Sequence, residues 1–126
     1  MHVLLVEDNP GVLGATTVLL KSEGYRVSTA TNLEEAVQAT RDNPDLCLVI
    51  TDYHLSDGNT GRQVICALRE LRGPTFRAIV ISGDTSSAVQ AFDGDPYLCW
   101  LSKPTRASLL LNVLQNFTPS TAQPVS

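Results

Sequence analysis

Residues 46–52 read Leu-Cys-Leu-Val-Ile-Thr-Asp, an apolar run that stops on a carboxylate. Five apolar side chains in succession cover both faces of an extended segment, which is the pattern of a central strand in a parallel sheet. A charge at the end of such a strand stands at the rim of an apolar interior, a costly place for a lone carboxylate. What Asp52 faces is decided by where the neighbouring strands end.

Working outward, the same unit recurs. Val3-Leu4-Leu5-Val6 precedes Asn9-Pro10, an N-cap followed by proline at the first helical position, and the helix so begun should stop near Gly24. Tyr25 to Ala30 alternates as a half-exposed edge strand. A second helix starts after Thr31-Asn32, places Leu33, Ala36, Val37 and Thr40 on one stripe, and ends at Asn43-Pro44, directly before the Leu46 run. Beyond Asp57-Gly58-Asn59, Val64, Leu68 and Leu71 predict a third helix stopped by Gly73-Pro74. Ala78–Ile81 and Tyr97–Leu101 read as the fourth and fifth strands. Between them a weakly patterned helix is expected around Ala88, Val89 and Phe92. A fifth helix carries Leu110, Val113, Leu114 and Phe117 on one face. Strand and helix alternating five times without a hairpin signal predict a doubly wound α/β domain over residues 1–117, with 118–126 as a flexible tail.

Bulk properties restrict the function. A chain of 126 residues holds one domain, and its net charge of −4 comes with scattered basic residues, so no nucleic-acid surface is indicated. Arg62, Arg69 and Arg72 share a helix and read as a solvated face. Cys47, Cys66 and Cys99 lack metal-ligand spacing and read as buried thiols of a cytoplasmic protein. The first apolar run is too short for a signal or a membrane span.

In doubly wound sheets the chemistry lies outside the carboxyl ends of the strands. There the sequence supplies Glu7-Asp8 after the first strand, Asp52 after the third, Ser82 after the fourth, and Lys103-Pro104 after the fifth. Clustered carboxylates call for protonation or a cation, and a hard divalent ion such as Mg²⁺ suits one or two carboxylates plus water. A metal, a lysine and a hydroxyl around a carboxylate nucleophile are the parts of phosphoryl transfer, with Asp52 as the acceptor.

These motifs, HVLLVEDNP, LCLVITDYHLSDGNTG, AIVISGD and LSKP, resemble the receiver domains of two-component response regulators over about residues 2–117. The resemblance implies a flavodoxin-like five-stranded parallel sheet of order 2-1-3-4-5 with five helices. It assigns Asp52 as the residue phosphorylated by a histidine kinase or histidine phosphotransfer protein. Asp8 and Asp52 become Mg²⁺ ligands, with Glu7 acting through water and the backbone carbonyl of His54 completing the protein ligands. Ser82 matches the switch hydroxyl and Lys103 the lysine that pairs with the phosphoryl group, and Lys103-Pro104 is implied to be a cis peptide. Trp100 stands where the family usually carries the Tyr or Phe that turns inward on activation.

The same resemblance implies a signalling switch rather than an enzyme with a separate substrate. Its output face, and a possible homodimer contact, would be the fourth helix, fifth strand and fifth helix, with Leu109 and Leu111 as apolar contacts. The wording DYHLSDGNTG and ISGDT is most similar to C-terminal receivers of hybrid sensor histidine kinases. A phosphate-blind interaction module of the same fold is the alternative. An aspartate phosphatase would want an acid where His54 stands, and a nucleotide-binding domain would want a glycine-rich loop after the first strand. His54 and Asp84 are placed to flank the mouth of the site, and His2 reads as a surface strand residue.

Overall fold

Asn9 caps the first helix as expected, its side-chain oxygen accepting from the N–H groups of Gly11 and Val12 at 2.9 and 3.1 Å ahead of Pro10 at the helix start. The computed structural model describes residues 1–55, 58–83, 95–103 and 106–117. The helix expected around Ala88, together with Asp84, Pro104 and the tail 118–126, lies outside the described residues. The described elements are β1 (His2–Val6), α1 (Pro10–Ser22), β2 (Arg26–Ala30), α2 (Leu33–Asp42), β3 (Leu46–Asp52), α3 (Gly61–Arg72), β4 (Arg77–Ser82), β5 (Leu98–Ser102) and α4 (Ala107–Phe117).

All strand pairings are parallel and the sheet order is β2-β1-β3-β4-β5, the expected doubly wound arrangement. The two faces divide the core by strand parity. Leu4, Val6, Val49, Ala78 and Val80 meet α2 and α3, while Val3, Leu5, Leu48, Ile50 and Ile79 meet α1 and α4 through Leu20, Leu110 and Leu114. The β3 run is buried on both sides, as its lack of alternation requires.

Long polar side chains at the base of the sheet depart from the expected reading. Arg72 does not line a solvated face: its guanidinium donates to the carbonyls of Leu46, Thr40 and Asn43, tying the α2–β3 turn to α3. Arg69 likewise turns inward, donating to the carbonyls of Phe76 and Tyr97 and to the Asp95 carboxylate. His2 is 5% exposed rather than superficial. Its Nδ1 lies 3.0 Å from Asp45 Oδ2 and its Nε2 2.7 Å from Ser28 Oγ, so one ring braces β1, β2 and the start of β3. Cys66 is exposed and Cys47 and Cys99 are half-buried, so the thiols are not fully interior. Leu71, expected on the core stripe, is 40% exposed at the end of α3.

Candidate functional site

Parallel register makes the strand ends flush. Val6 pairs with Thr51, Asp52 with Ile81, and Ser82 with Ser102, so the residues following β1, β3, β4 and β5 emerge along one edge. On β3, Leu48, Ile50 and Asp52 share parity, which directs the Asp52 carboxylate toward the α1/α4 side at the top of that face. Glu7, Asp8 and Asp52 each present a carboxylate oxygen there, all within 4.8 Å of one another. The Lys103 ammonium lies 2.9 Å from Asp52 Oδ2. Ser82 is 1% exposed at the end of β4, and its carbonyl accepts the Lys103 N–H at 3.0 Å.

Three ionised carboxylates at that spacing would repel by about 3–4 kcal/mol per pair at an effective dielectric of about 20. Lys103 offsets part of this, and the cluster leaves its mark on Glu7. Burial lifts the Glu7 carboxyl above its ordinary range, the Asn9 N–H at 3.1 Å pulls it back, and the charge of Asp52 raises it again. An oxygen-rich, over-charged cluster of this kind suits a hard divalent cation.

The loop after β3 holds Asp52 from behind. The Gly61 N–H donates to the Tyr53 carbonyl, His54 bridges to Thr60, and the Thr51 hydroxyl donates to the Asp52 carbonyl at 2.9 Å. Gly61 has no room for a side chain: a Cβ there would lie 2.8 Å from the Asp52 carbonyl oxygen and 3.2 Å from Thr51 Cγ2. Gly61 closes the DYHLSDGNTG motif, but the clearance it provides follows from the folded loop and not from the motif. Thr60 then begins α3 with a capping box to Gln63.

Of the remaining expected residues, Trp100 is not gathered around the carboxylates. The His54 side chain is exposed. Trp100 lies half-buried on the opposite face of the sheet, packed against the α2/α3 core, its ring centroid 6.1 Å from that of Tyr53 and tilted by 55°. Tyr53 in turn meets the His54 ring edge-on at 4.8 Å. A chain of rings thus joins β5 to the residues just after Asp52. A cleft of about 910 Å³ between α1 and α4 is lined by the site itself, Glu7, Asp8, Asp52 and Lys103, and by the apolar side chains of Val12, Leu19, Ile50 and Leu110.

Comparison with known proteins agrees with this geometry. The family described as "Response regulator receiver domain" matches residues 3–115, and the chain belongs to that family. It is 35% identical over 83 residues to the two-component response regulator PprB of Pseudomonas aeruginosa, covering 64% of this chain and 30% of PprB. The chain therefore spans less than a third of that relative's length. Among solved structures, the Vibrio cholerae chemotaxis protein CheY4 shares the fold with a TM-score of 0.82 at 24% identity, over 92% of this chain and 97% of that one. The receiver domain of the hybrid histidine kinase CckA has a TM-score of 0.76 at 26% identity, over 92% and 97%.

The chain is thus a receiver domain of two-component signalling, a phosphoacceptor switch rather than a classical enzyme. Receiver domains bind Mg²⁺ at an acidic pocket and work with a histidine kinase or phosphotransfer partner, and the cluster of Glu7, Asp8 and Asp52 corresponds to such a pocket. Among the described residues no helix is long and apolar enough to cross a membrane.

Proposed function

We propose that Asp52 accepts a phosphoryl group from a phosphohistidine on a histidine kinase or phosphotransfer protein. The observation that carries this reading is the buried Asp52 carboxylate facing two further carboxylates while its Oδ2 is held by Lys103. Asp8, Asp52 and the backbone carbonyl of His54 would hold Mg²⁺, with Glu7 acting through water. The ion supplies charge neutralisation for the entering phosphoryl oxygens.

One oxygen of Asp52 attacks phosphorus as the phosphorus–nitrogen bond of the donor breaks, and the donor imidazole keeps the bonding pair and takes up a proton from solvent. The products are an aspartyl phosphate and a neutral histidine. Lys103 then exchanges its bond to the carboxylate for one to a phosphoryl oxygen, and the Ser82 hydroxyl donates to another. Movement of Ser82 is passed along β4 to β5, where Trp100 and the Tyr53 ring are in position to respond. The face made by β5 and α4 is where a partner, or a second copy, would read the change.

The functional unit is residues 1–117, followed by the tail 118–126, and it acts in the cytoplasm without binding nucleic acid. A terminal receiver of a hybrid histidine kinase is the context supported by the DYHLSDGNTG wording and by the similarity to the CckA receiver.

The test is intact mass after incubation with Mg²⁺ and a small acyl-phosphate donor. Wild type should gain one phosphoryl group, and Asp52→Asn or chelation of the metal should prevent it. Wild type left unmodified at saturating donor would favour a phosphate-blind interaction module instead.

A further inference from the structure

The base of the sheet, at the other end of the strands from Asp52, gathers a second set of reactive side chains. Asp45 lies just before β3 and Asp52 ends it, so the two stand about 20 Å apart along extended chain. Strand parity places His2 with Leu4 and Val6, and Ser28 with Ala30, on the α2/α3 face. There Asp45 Oδ2 lies 3.0 Å from His2 Nδ1, and Ser28 Oγ lies 2.7 Å from His2 Nε2.

The ends of this row decide where its protons sit. Asp45 Oδ2 also accepts from Arg26 at 2.6 Å, and the hydrogen bond from His2, with the Arg26 charge beside it, holds the Asp45 carboxyl below its ordinary range. An ionised carboxylate can only accept, so Nδ1 of the neutral ring carries the proton. Nε2 is then the acceptor, and the Ser28 hydroxyl donates to it. The ring is also fixed in place. It is 5% exposed, the Arg26 N–H donates to the Met1 carbonyl at 2.9 Å, and the Cys47 thiol donates to the His2 carbonyl at 3.4 Å. A hydroxyl bonded to a base that a carboxylate orients is the arrangement that activates a serine nucleophile. Beside it lies a cavity of about 420 Å³, lined by His2 and Ser28 and by the cationic side chains of Lys21 and Arg26. That volume is in the range of small-molecule sites.

We propose that Ser28, His2 and Asp45 form an acyl-transfer site for small anionic esters, independent of the phosphoacceptor. Ser28 Oγ bonds to the acyl carbon as its proton passes to His2 Nε2, and the carbonyl π pair moves onto oxygen. Collapse of that intermediate breaks the bond to the leaving oxygen, which departs with the bonding pair and takes the proton from Nε2. Water then adds by the same route, the bond to Ser28 breaks, and a carboxylic acid and the free serine result. Asp45 is a positioning residue that fixes the tautomer and offsets the imidazolium charge. Lys21 and Arg26 select an ester bearing a carboxylate. They supply charge on long stems rather than through fixed backbone donors, so the oxyanion is held loosely and turnover is slow.

The test is acetylation of the whole chain by p-acetoxybenzoate, followed over time by intact mass and located by peptide mapping. Wild type should gain one acetyl group on Ser28, at least about threefold faster than with the uncharged methyl ester of the same compound. Ser28→Ala should lose that adduct, and His2→Gln should slow its formation about a hundredfold, the usual loss when a general base is removed. Asp45→Asn should slow it about tenfold and Asp45→Glu, which keeps a carboxylate, should recover most of the rate. Asp45 is 47% exposed, so its variants report even where His2→Gln fails to fold. All of these variants that fold should still accept phosphate at Asp52, which reads the two sites separately. Acetyl groups confined to lysines and the N-terminus overturn the proposal. So does Ser28 acetylated at the wild-type rate in Asp45→Asn, or without preference for the charged ester.

Discussion

The ammonium of Lys103 lies 2.9 Å from Asp52 Oδ2, yet the two side chains differ in exposure, 46% for the lysine against 9% for the aspartate. A rigid, buried acceptor is thus paired with a solvated cation on a flexible stem, which can change partners without disturbing the core. In the resting state that cation competes with any metal for the same carboxylate. Lys103→Met should therefore bind Mg²⁺ about three- to tenfold more tightly, roughly 1 kcal/mol, a size in keeping with a partly exposed ion pair. The same variant should accept phosphate at least about tenfold more slowly, because a cation facing the phosphoryl oxygens is lost. Calorimetric titration with Mg²⁺ measures the first effect, and an unchanged affinity would show that the ammonium and the ion do not compete.

Repulsion among Glu7, Asp8 and Asp52 should make the fold sensitive to divalent ions. A ligand bound only by the folded state at about ten times its dissociation constant stabilises by about 1.4 kcal/mol. For a domain of this size that is a rise in melting temperature of about 3–6 °C. Thermal unfolding with and without Mg²⁺ should show this rise in wild type. Asp8→Asn should start with a higher melting temperature in chelator and gain less from the metal. A larger response to Mg²⁺ in Asp8→Asn than in wild type would place the ion elsewhere.

The fold and the carboxylate site were both legible from the Leu46–Asp52 run, because a strand apolar on both faces must be central and parallel register makes its neighbours end beside it. Other features depend on reach rather than on pattern. Arg69 and Arg72 occupy positions that a charged helix face would give to solvent, but their side chains are long enough to turn under the sheet and satisfy backbone carbonyls at its base. His2 opens a strand whose exposure depends on Asp45 and Ser28 closing over it, and those residues are 43 and 26 positions away. Leu71 keeps the helical spacing of Val64 and Leu68, yet α3 ends at Arg72 and leaves Leu71 largely uncovered.

Gly61 should tolerate no side chain. The nearest atom to an added Cβ is the Asp52 carbonyl oxygen at 2.8 Å, and a backbone atom in the sheet can yield only by moving the strand end. Gly61→Ala should cost about 1–3 kcal/mol, the usual range for overpacking. It should also slow phosphorylation of Asp52, since the displaced residue is the acceptor itself. Urea denaturation gives the first quantity and timed intact-mass measurement the second. A stable variant with unchanged phosphorylation would mean that the loop can relax without shifting Asp52.

The Arg69–Asp95 pair should confer a pH dependence of its own. Burial pushes the Asp95 carboxyl upward, but the Arg69 guanidinium at 2.5 Å and the Tyr97 N–H at 2.9 Å outweigh it and hold the group below its ordinary range. The unfolded chain therefore binds this proton at a higher pH than the folded one does. The resulting stability is fully present above the ordinary aspartate value of about 4 and is lost as pH falls through the lower folded value. At pH 7 Asp95→Asn should cost about 1–2 kcal/mol, because a charge-assisted bond becomes a neutral one while Arg69 keeps its carbonyl partners. The difference from wild type should narrow as pH falls below about 4 and close once the wild-type carboxyl is itself protonated in the folded state. Denaturant midpoints measured for both proteins across that range decide the matter: a difference that stays constant down to low pH would assign the loss to packing rather than to the carboxylate charge.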